Sequence, residues 1–401
     1  MFKKLLILII TAFVDMVGLL MVIPLMPYYA RTLGASALMV TVLVGSFTAA
    51  QLVSAPLWGR FSDRYGRRPA LLVGLGSAAI AYVVFGFANS LWLLLLSRVV
   101  QGAGGGTVGV VQAYVADATE PKNRAKALGW LSAATNVGVA LGPPLGSLAL
   151  LAGRSGPGLA AAGLCLVNMA FAWKYLHESR DMHAARSTTR KPRASRIALA
   201  HVLTHATEPG PRLIWIYAIA MGAFSGTTAI LALFLMDRFG VGEHRIWMFF
   251  TYIGTIAVVT RAGILGWAVD RFGEARLSRI GLVLLATGLA GFPLAHNYVL
   301  LAIVIACIPL GTAFTFPCVT SLLSRVIPSN ERGLYMGVQQ TYGGIARVVI
   351  PLWAGFSYDH FGKGVPFITS SVLVLGSLFL GLGVDDGRKV KAQPEPVEVA
   401  V

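Results

Sequence analysis

Three ionisable residues lie deep in stretches that are otherwise apolar: Asp15 in "LLILIITAFVDMVGLLMVIPLMP", Arg98 in "LWLLLLSRVVQGAGGG" and Arg347 in "QQTYGGIARVVIPLWAGF". A charge at hydrocarbon depth costs about 2.5–3.5 kcal/mol on insertion scales, so each is a candidate for work rather than decoration. Counted from Leu5, Asp15 is about 15 Å deep at 1.5 Å per helical residue; counted from Leu91, Arg98 is about 10 Å deep, with a side chain that closes the remaining gap. The two can therefore meet. As a pair they either tie two helices together or move a proton, because a carboxyl whose pairing changes can take up and release H⁺. Arg347 has no acid in its own segment, and a lone buried guanidinium calls for a carboxylate or phosphate, either Asp15 across a cavity or an anionic substrate. Arg261, close to the end of its block, can snorkel to the surface. Gln51, Gln101, Gln340 and Arg347 are candidate cavity contacts.

A second group of charges lies between apolar stretches. "GRFSDRYGRRP" at 59–69 contains Gly59, Asp63, Arg64, Gly66, Arg67 and Arg68. Gly59 is placed to turn the chain after an apolar block, and Gly66 to break a helix before Arg67 and Arg68. An acid here could cap a neighbouring helix N-terminus while Arg67 reaches another carboxylate. Anchoring by positive charge is the competing account. The stretch returns as "GWAVDRFG" at 266–273, with Gly266, Asp270, Arg271 and Gly273 in the same register, and "PKNRAKALG" at 121–129 returns as "PSNERGLYMG" at 328–337. Anchoring has no use for the Gly-Asp register. "GVALGPPLG" spaces Gly138, Gly142 and Gly146 four apart, a stripe that lets another helix approach closely, with Pro143 and Pro144 bending its helix.

The elements that must position these residues follow from composition. Of 401 residues, 56% are hydrophobic and 12% charged, and the apolar ones come in blocks. Each block matches the roughly 20 residues that cross about 30 Å of hydrocarbon. Twelve blocks fall near 5–29, 37–58, 70–89, 91–116, 127–150, 157–176, 213–236, 246–265, 279–296, 298–324, 333–357 and 364–384. An even number puts both termini on one side. The connections on the other side hold only Arg31, Arg154, Arg238, Arg245 and Lys363, so the termini are expected in the cytoplasm. The net charge of +16 sits in short loops rather than on one face, which excludes a nucleic-acid-binding domain. Cys165, Cys307 and Cys318 fall inside apolar blocks, against a disulfide framework. "MFKKLLILII" starts like a signal peptide, but the apolar run continues past Asp15 and reads as a first membrane helix. A polar, basic stretch, 177–212, separates six blocks from six, with one short surface helix possible around "IALAHVL". The predicted fold is all-α and membrane-integral: a six-helix bundle at 1–176, a cytoplasmic linker at 177–212, a pseudo-symmetric second bundle at 213–384 and a cytoplasmic tail at 385–401.

Four motifs, "DMVGLLMVIPLMP", "GRFSDRYGRRP", "RVVQGAGGG" and "GVALGPPLG", give the chain a resemblance to the major facilitator superfamily, and within it to the twelve-helix drug/proton antiporters that include tetracycline exporters. The resemblance implies several roles. Asp15 and Arg98, the latter followed by Gln101 and Gly102, would couple transport to protons. The 59–68 loop would be a latch holding the outward-open state, with Asp63 near the eleventh helix and Arg67 near Asp117; the second copy, lacking the paired Arg, would latch more weakly. The glycine stripe would close the interface between halves near the outer side. Tetracycline exporters carry further acids in the third and ninth spans; "GSAAIAYVVFGFA" and "IGLVLLATGLAGF" have none, which puts tetracycline itself in doubt.

No P-loop is present. The GxGxxG match at Gly104, Gly106 and Gly109 lies inside a membrane block rather than after a strand. His201 and His205 have helical metal-ligand spacing, but His177, His183 and the rest of the linker supply no HExxH pattern or further ligand. No catalytic residue, metal or cofactor is expected. The sequence reads as a monomeric secondary transporter of the inner (plasma) membrane, exporting small lipophilic molecules in exchange for protons. Transport of organic anions clamped by Arg347 is the alternative. A non-transporting receptor or lipid scramblase is the third reading, disfavoured by the repeated latch motif.

Overall fold

The computed structural model describes residues 2–105, 107–119, 124–176, 178, 192–329 and 331–381, and these form helices and short connections with no strand among them. The first half comprises α1 (Phe2–Val22), α2 (Met26–Thr32), α3 (Ala37–Tyr65), α4 (Arg67–Gly86), α5 (Leu91–Gly104), α6 (Thr107–Ala118), α7 (Arg124–Ala149) and α8 (Gly156–Tyr175). A linker helix follows, α9 (Pro192–Thr204). The second half comprises α10 (Pro209–Phe239), α11 (Ile246–Val259), a π-helical turn at Thr260–Ile264 leading into α12 (Leu265–Phe272), α13 (Glu274–Gly291), α14 (Tyr298–Val326), α15 (Arg332–His360) and α16 (Val365–Leu380). Among the described residues, nine helical spans are long and apolar enough to cross a membrane; α13, α15 and α16 fill the remaining three of twelve places.

Local chemistry sets the ends of these helices. Ser36, Ser90 and Asn297 cap α3, α5 and α14, each side chain accepting from the backbone N–H three residues on. Gly66 and Gly273 hold φ of 103° and 76°, so each ends one helix and starts the next in a conformation other residues resist. Gly59 does not turn the chain as expected: α3 runs through it to Tyr65, just as α12 contains its counterpart Gly266. The break needs a positive φ, which only Gly66 and Gly273 supply there.

The glycine stripe also packs differently from its expected role. A Cβ at Gly138 would come 2.9 Å from the Phe13 carbonyl, one at Gly142 2.9 Å from the Val17 carbonyl, and one at Gly146 would overlap Met21. The stripe seats α7 against α1 of its own half, and Pro143 and Pro144 lie within a continuous α7. The contact with the other half uses the next face of α7, where Ala140 meets Gly254 of α11. Gly142→Val should therefore lower thermal stability, at the cost of about 1–3 kcal/mol that overpacking carries, as read by the melting temperature in detergent.

The halves meet at the face opposite the one that carries residues 2 and 381. There Tyr28 Oη donates to the Val241 carbonyl at 2.7 Å and Arg31 pairs with Asp237 at 3.4 Å. Asp359, near the end of α15, accepts from the backbone N–H groups of Ala37 (3.0 Å) and Leu38 (2.8 Å), capping α3 across the interface. Gly355 lets α15 close on Ala37 and Leu38, so the second-half counterpart of the stripe does serve the junction. Towards the terminal face the halves part around a cavity of about 1020 Å³. The linker helix is no free surface element: Ala198 and Val202 are buried, Tyr342 donates to the Leu199 carbonyl at 3.0 Å and Trp215 to that of Val202 at 3.2 Å.

Candidate functional site

The cavity wall gathers Asp15 from α1, Gln51 from α3, Gln101 from α5, and Gln340 and Arg347 from α15. It runs from these residues down to Leu199, Gly333 and Leu334 at the terminal face. Asp15 is the one carboxylate among its described lining residues, and it also lines a second cleft of about 350 Å³ inside the first half, beside Thr11, Gln112, Ser132 and Thr135. Gln51 Nε2 donates to the Gly105 carbonyl at 3.0 Å, holding the α5–α6 break where the backbone would otherwise lack a partner.

Asp15 and Arg98 do not form the expected ion pair in this structure. Arg98 is 1% exposed, with its guanidinium 5.2 Å from the centre of the Phe85 ring and its Nε 3.5 Å from Ser97 Oγ. One of its terminal nitrogens has no hydrogen-bond partner, nor has Oε1 of the buried Gln101. Depth placed the two charges on one level, but Tyr82 of α4 stands in electrostatic reach of both. Its hydroxyl would lie 3.5 Å from a Cβ at Gly18, one turn beyond Asp15. A buried guanidinium with an unmade hydrogen bond is costly, so another arrangement of these side chains is favoured once a carboxylate can reach it.

Across the cavity, Arg347 and Arg261 both lie in electrostatic reach of Tyr217, whose hydroxyl accepts from Gln340 Nε2 at 3.3 Å. Neither arginine has a carboxylate within ion-pairing distance among the described residues, and the Nε of each is buried without a partner. Arg261 does not snorkel. It sits in the π-helical turn and donates to Asn136 Oδ1 of α7 at 2.9 Å, joining the two halves. Such turns recur at functional positions because they re-aim a side chain within an otherwise regular helix.

Where α3 gives way to α4, Arg67 pairs with Asp63 at 3.0 Å and donates to Ser62 Oγ at 2.7 Å. The carboxylate that caps a helix here is Glu178, which accepts from the backbone N–H groups of Arg67 (2.9 Å) and Arg68 (3.0 Å) at the start of α4. Arg68 also donates to the Trp173 carbonyl, and Arg64 lies over the Tyr65 ring. The expected partner of Arg67, Asp117, has its side chain outside the described residues, as do Gly106, His177, His183 and the 385–401 tail. In the second copy Asp270 and Arg271 are exposed, while Glu274 accepts from Arg325 at 2.7 Å and Ser321 at 2.8 Å. Sequence reasoning missed Tyr82, Tyr217 and Asn136, since single polar residues in apolar blocks carry no pattern. It missed Glu178 and Asp359 because they cap helices distant in sequence.

A cavity between two helical halves, open at one face and walled by a few charged and amide side chains, is the site of a multi-pass membrane transporter rather than an enzyme. The chain belongs to the Major Facilitator Superfamily, whose profile matches residues 8–351 and 246–398. It is 26% identical over 384 residues to multidrug resistance protein 2 of Bacillus subtilis (strain 168), covering 93% of this chain and 92% of that one. It is 24% identical over 369 residues to the class B tetracycline resistance protein of Escherichia coli, covering 91% and 90%. The crystal structure of the human organic anion transporter MFSD10 (TETRAN) superposes with a TM-score of 0.72 at 23% identity, covering 94% of this chain and 99% of that one.

Proposed function

We propose that this transporter exports small lipophilic organic molecules from the cytoplasm in exchange for protons, working in the plasma membrane with both termini cytoplasmic. One observation supports the reading: Asp15 is the one carboxylate among the described residues of the cavity wall. With the terminal face cytoplasmic, the structure corresponds to the state open to the cell interior. Substrate enters as Asp15 gives up its proton, and the halves rock about the α3–α15 and α7–α11 contacts. Asp15 is protonated from outside as substrate leaves. In that cycle Arg98 steadies Asp15 while it is ionised, between proton release and re-protonation. The helix junctions at 59–68 and 266–273 close the cytoplasmic face in the opposite state, and the open space beside Gly59 and Gly266 accommodates that approach.

A second reading concerns substrate charge. Arg347 in the cavity wall and Arg261, which shares Tyr217 with it, have no carboxylate to pair them among the described residues, which favours amphiphilic organic anions. The human protein MFSD10, which shares the fold, is an organic anion transporter. Growth inhibition by cationic, neutral and anionic drugs, in cells with and without the protein and with and without a protonophore, tests both readings. Protection that survives the protonophore contradicts proton coupling; protection confined to cations contradicts the anion site.

Rocking also predicts a state shift. Asp359→Ala removes both bonds that cap α3 across the outer junction, worth about 1 kcal/mol, so the outward-open population should rise roughly fivefold. Spin-label distances across the outer face would show it.

A further inference from the structure

The terminal face holds a cluster that neither the cavity nor the latch uses. His201 projects from the last turn of α9, His205 follows that helix directly, and Glu208 stands just before α10; one ligand atom from each lies within 4.8 Å of the others. The sequence stretch "HVLTHATE" did contain a third ligand, which becomes one only because the chain turns back at 205–208.

We propose that His201, His205 and Glu208 form a zinc-type transition-metal site that staples the linker helix to the second half beside the cavity mouth. The first argument is spacing. Two ligands at about 2.0–2.1 Å from a tetrahedral zinc lie about 3.3 Å apart, and His201 Nε2 is 3.3 Å from Glu208 Oε2. The wider edge closes when the exposed His205 and Glu208 side chains swing inward. The second argument is the tautomer. Thr204 Oγ1 lies 3.0 Å from the Ala200 carbonyl and 2.8 Å from His205 Nδ1; with its hydroxyl proton on the carbonyl it accepts the Nδ1–H of the ring. That leaves the Nε2 lone pair of neutral His205 for a metal. His201 Nδ1 is 3.2 Å from Tyr335 Oη of α15, a second outer hydroxyl of the kind that orients metal-bound imidazoles. The two rings stack with centroids 4.4 Å apart, so one of them must turn out of the stack for both lone pairs to meet on one ion. Three protein ligands leave the fourth position to water.

The location gives the site a consequence. Leu199 of α9 is part of the cavity wall, as is Leu334, the neighbour of Tyr335. A metal bridging α9 to the start of α10, with Tyr335 behind it, fixes this part of the mouth and should slow the opening and closing of the terminal face.

The test uses full-length protein without a histidine tag, in nanodiscs, titrated with Co²⁺ as a spectroscopic stand-in for Zn²⁺. The expected result is one four-coordinate Co²⁺ per chain, displaced by Zn²⁺. His205→Ala and Glu208→Gln should weaken binding by about 100-fold and Tyr335→Phe by about tenfold, within the range that ligand-shell changes cost. His177→Ala with His183→Ala should leave it unchanged. A six-coordinate spectrum, or equal affinity in wild type and His205→Ala, overturns the site. Zinc should also slow substrate flux in wild-type proteoliposomes and not in His205→Ala; equal flux with and without zinc overturns the stapling. Neither binding readout depends on whether transport is proton-coupled.

Discussion

Asp15→Asn is expected to abolish pH-gradient-driven transport while leaving substrate binding in place. The amide keeps the size and hydrogen-bonding shape of the carboxyl but cannot exchange a proton, so the loss should reach about two orders of magnitude or more, as when a positioned acid–base group is removed. The expectation is specific because the cavity wall offers no second carboxylate among the described residues to take over. Downhill exchange of substrate should persist, since moving the halves does not itself need the charge. Reconstituted vesicles with an imposed pH gradient, compared with vesicles holding only a substrate gradient, separate the two activities. If the variant keeps gradient-driven accumulation, the proton carrier lies elsewhere.

Arg347→Gln is expected to weaken binding of organic anions by at least about 2 kcal/mol, roughly 30-fold, the lower end of what truncating one partner of a buried charged pair costs. Cationic substrates should bind as well or better, because the change removes a positive charge from the cavity wall. Arg347→Lys should recover only part of the loss, as a point charge lacks the planar fork that grips a carboxylate through two bonds. Fluorescence titration with anionic and cationic probes of similar size provides the comparison. Equal loss for both probes would mean that Arg347 only supports the fold.

The spans and the cavity residues were legible because depth is a one-dimensional quantity. Counting along helices of fixed rise placed Asp15 and Arg347 deep in their spans, and the structure lines one cavity with both and with the candidate contacts Gln51, Gln101 and Gln340. Rotation about each helix was not legible in the same way. Asp15 and Arg98 share a depth, yet Tyr82 stands in reach of both and the pair is unmade here. The glycine stripe announced close approach without saying which helix approaches, and the answer is α1 rather than the opposite half. Gly59 looked like a turn because glycine permits one, but a helix tolerates glycine wherever its φ stays negative. The repeated Gly-Asp-Arg-Gly register did locate the two helix breaks, at Gly66 and Gly273. Contacts such as Asp359 to α3 and Arg261 to Asn136 join residues far apart in sequence, and single polar residues carry no periodicity that would pair them.

Proton movement evoked by substrate in vesicles containing a trapped pH dye measures the central claim most directly. Adding a transported drug to wild-type vesicles without an imposed pH gradient should drive protons in the direction opposite to the drug, and Asp15→Asn vesicles should show drug movement without the pH change. Drug movement with no proton movement in the wild type, or an unchanged proton signal in the variant, would contradict it.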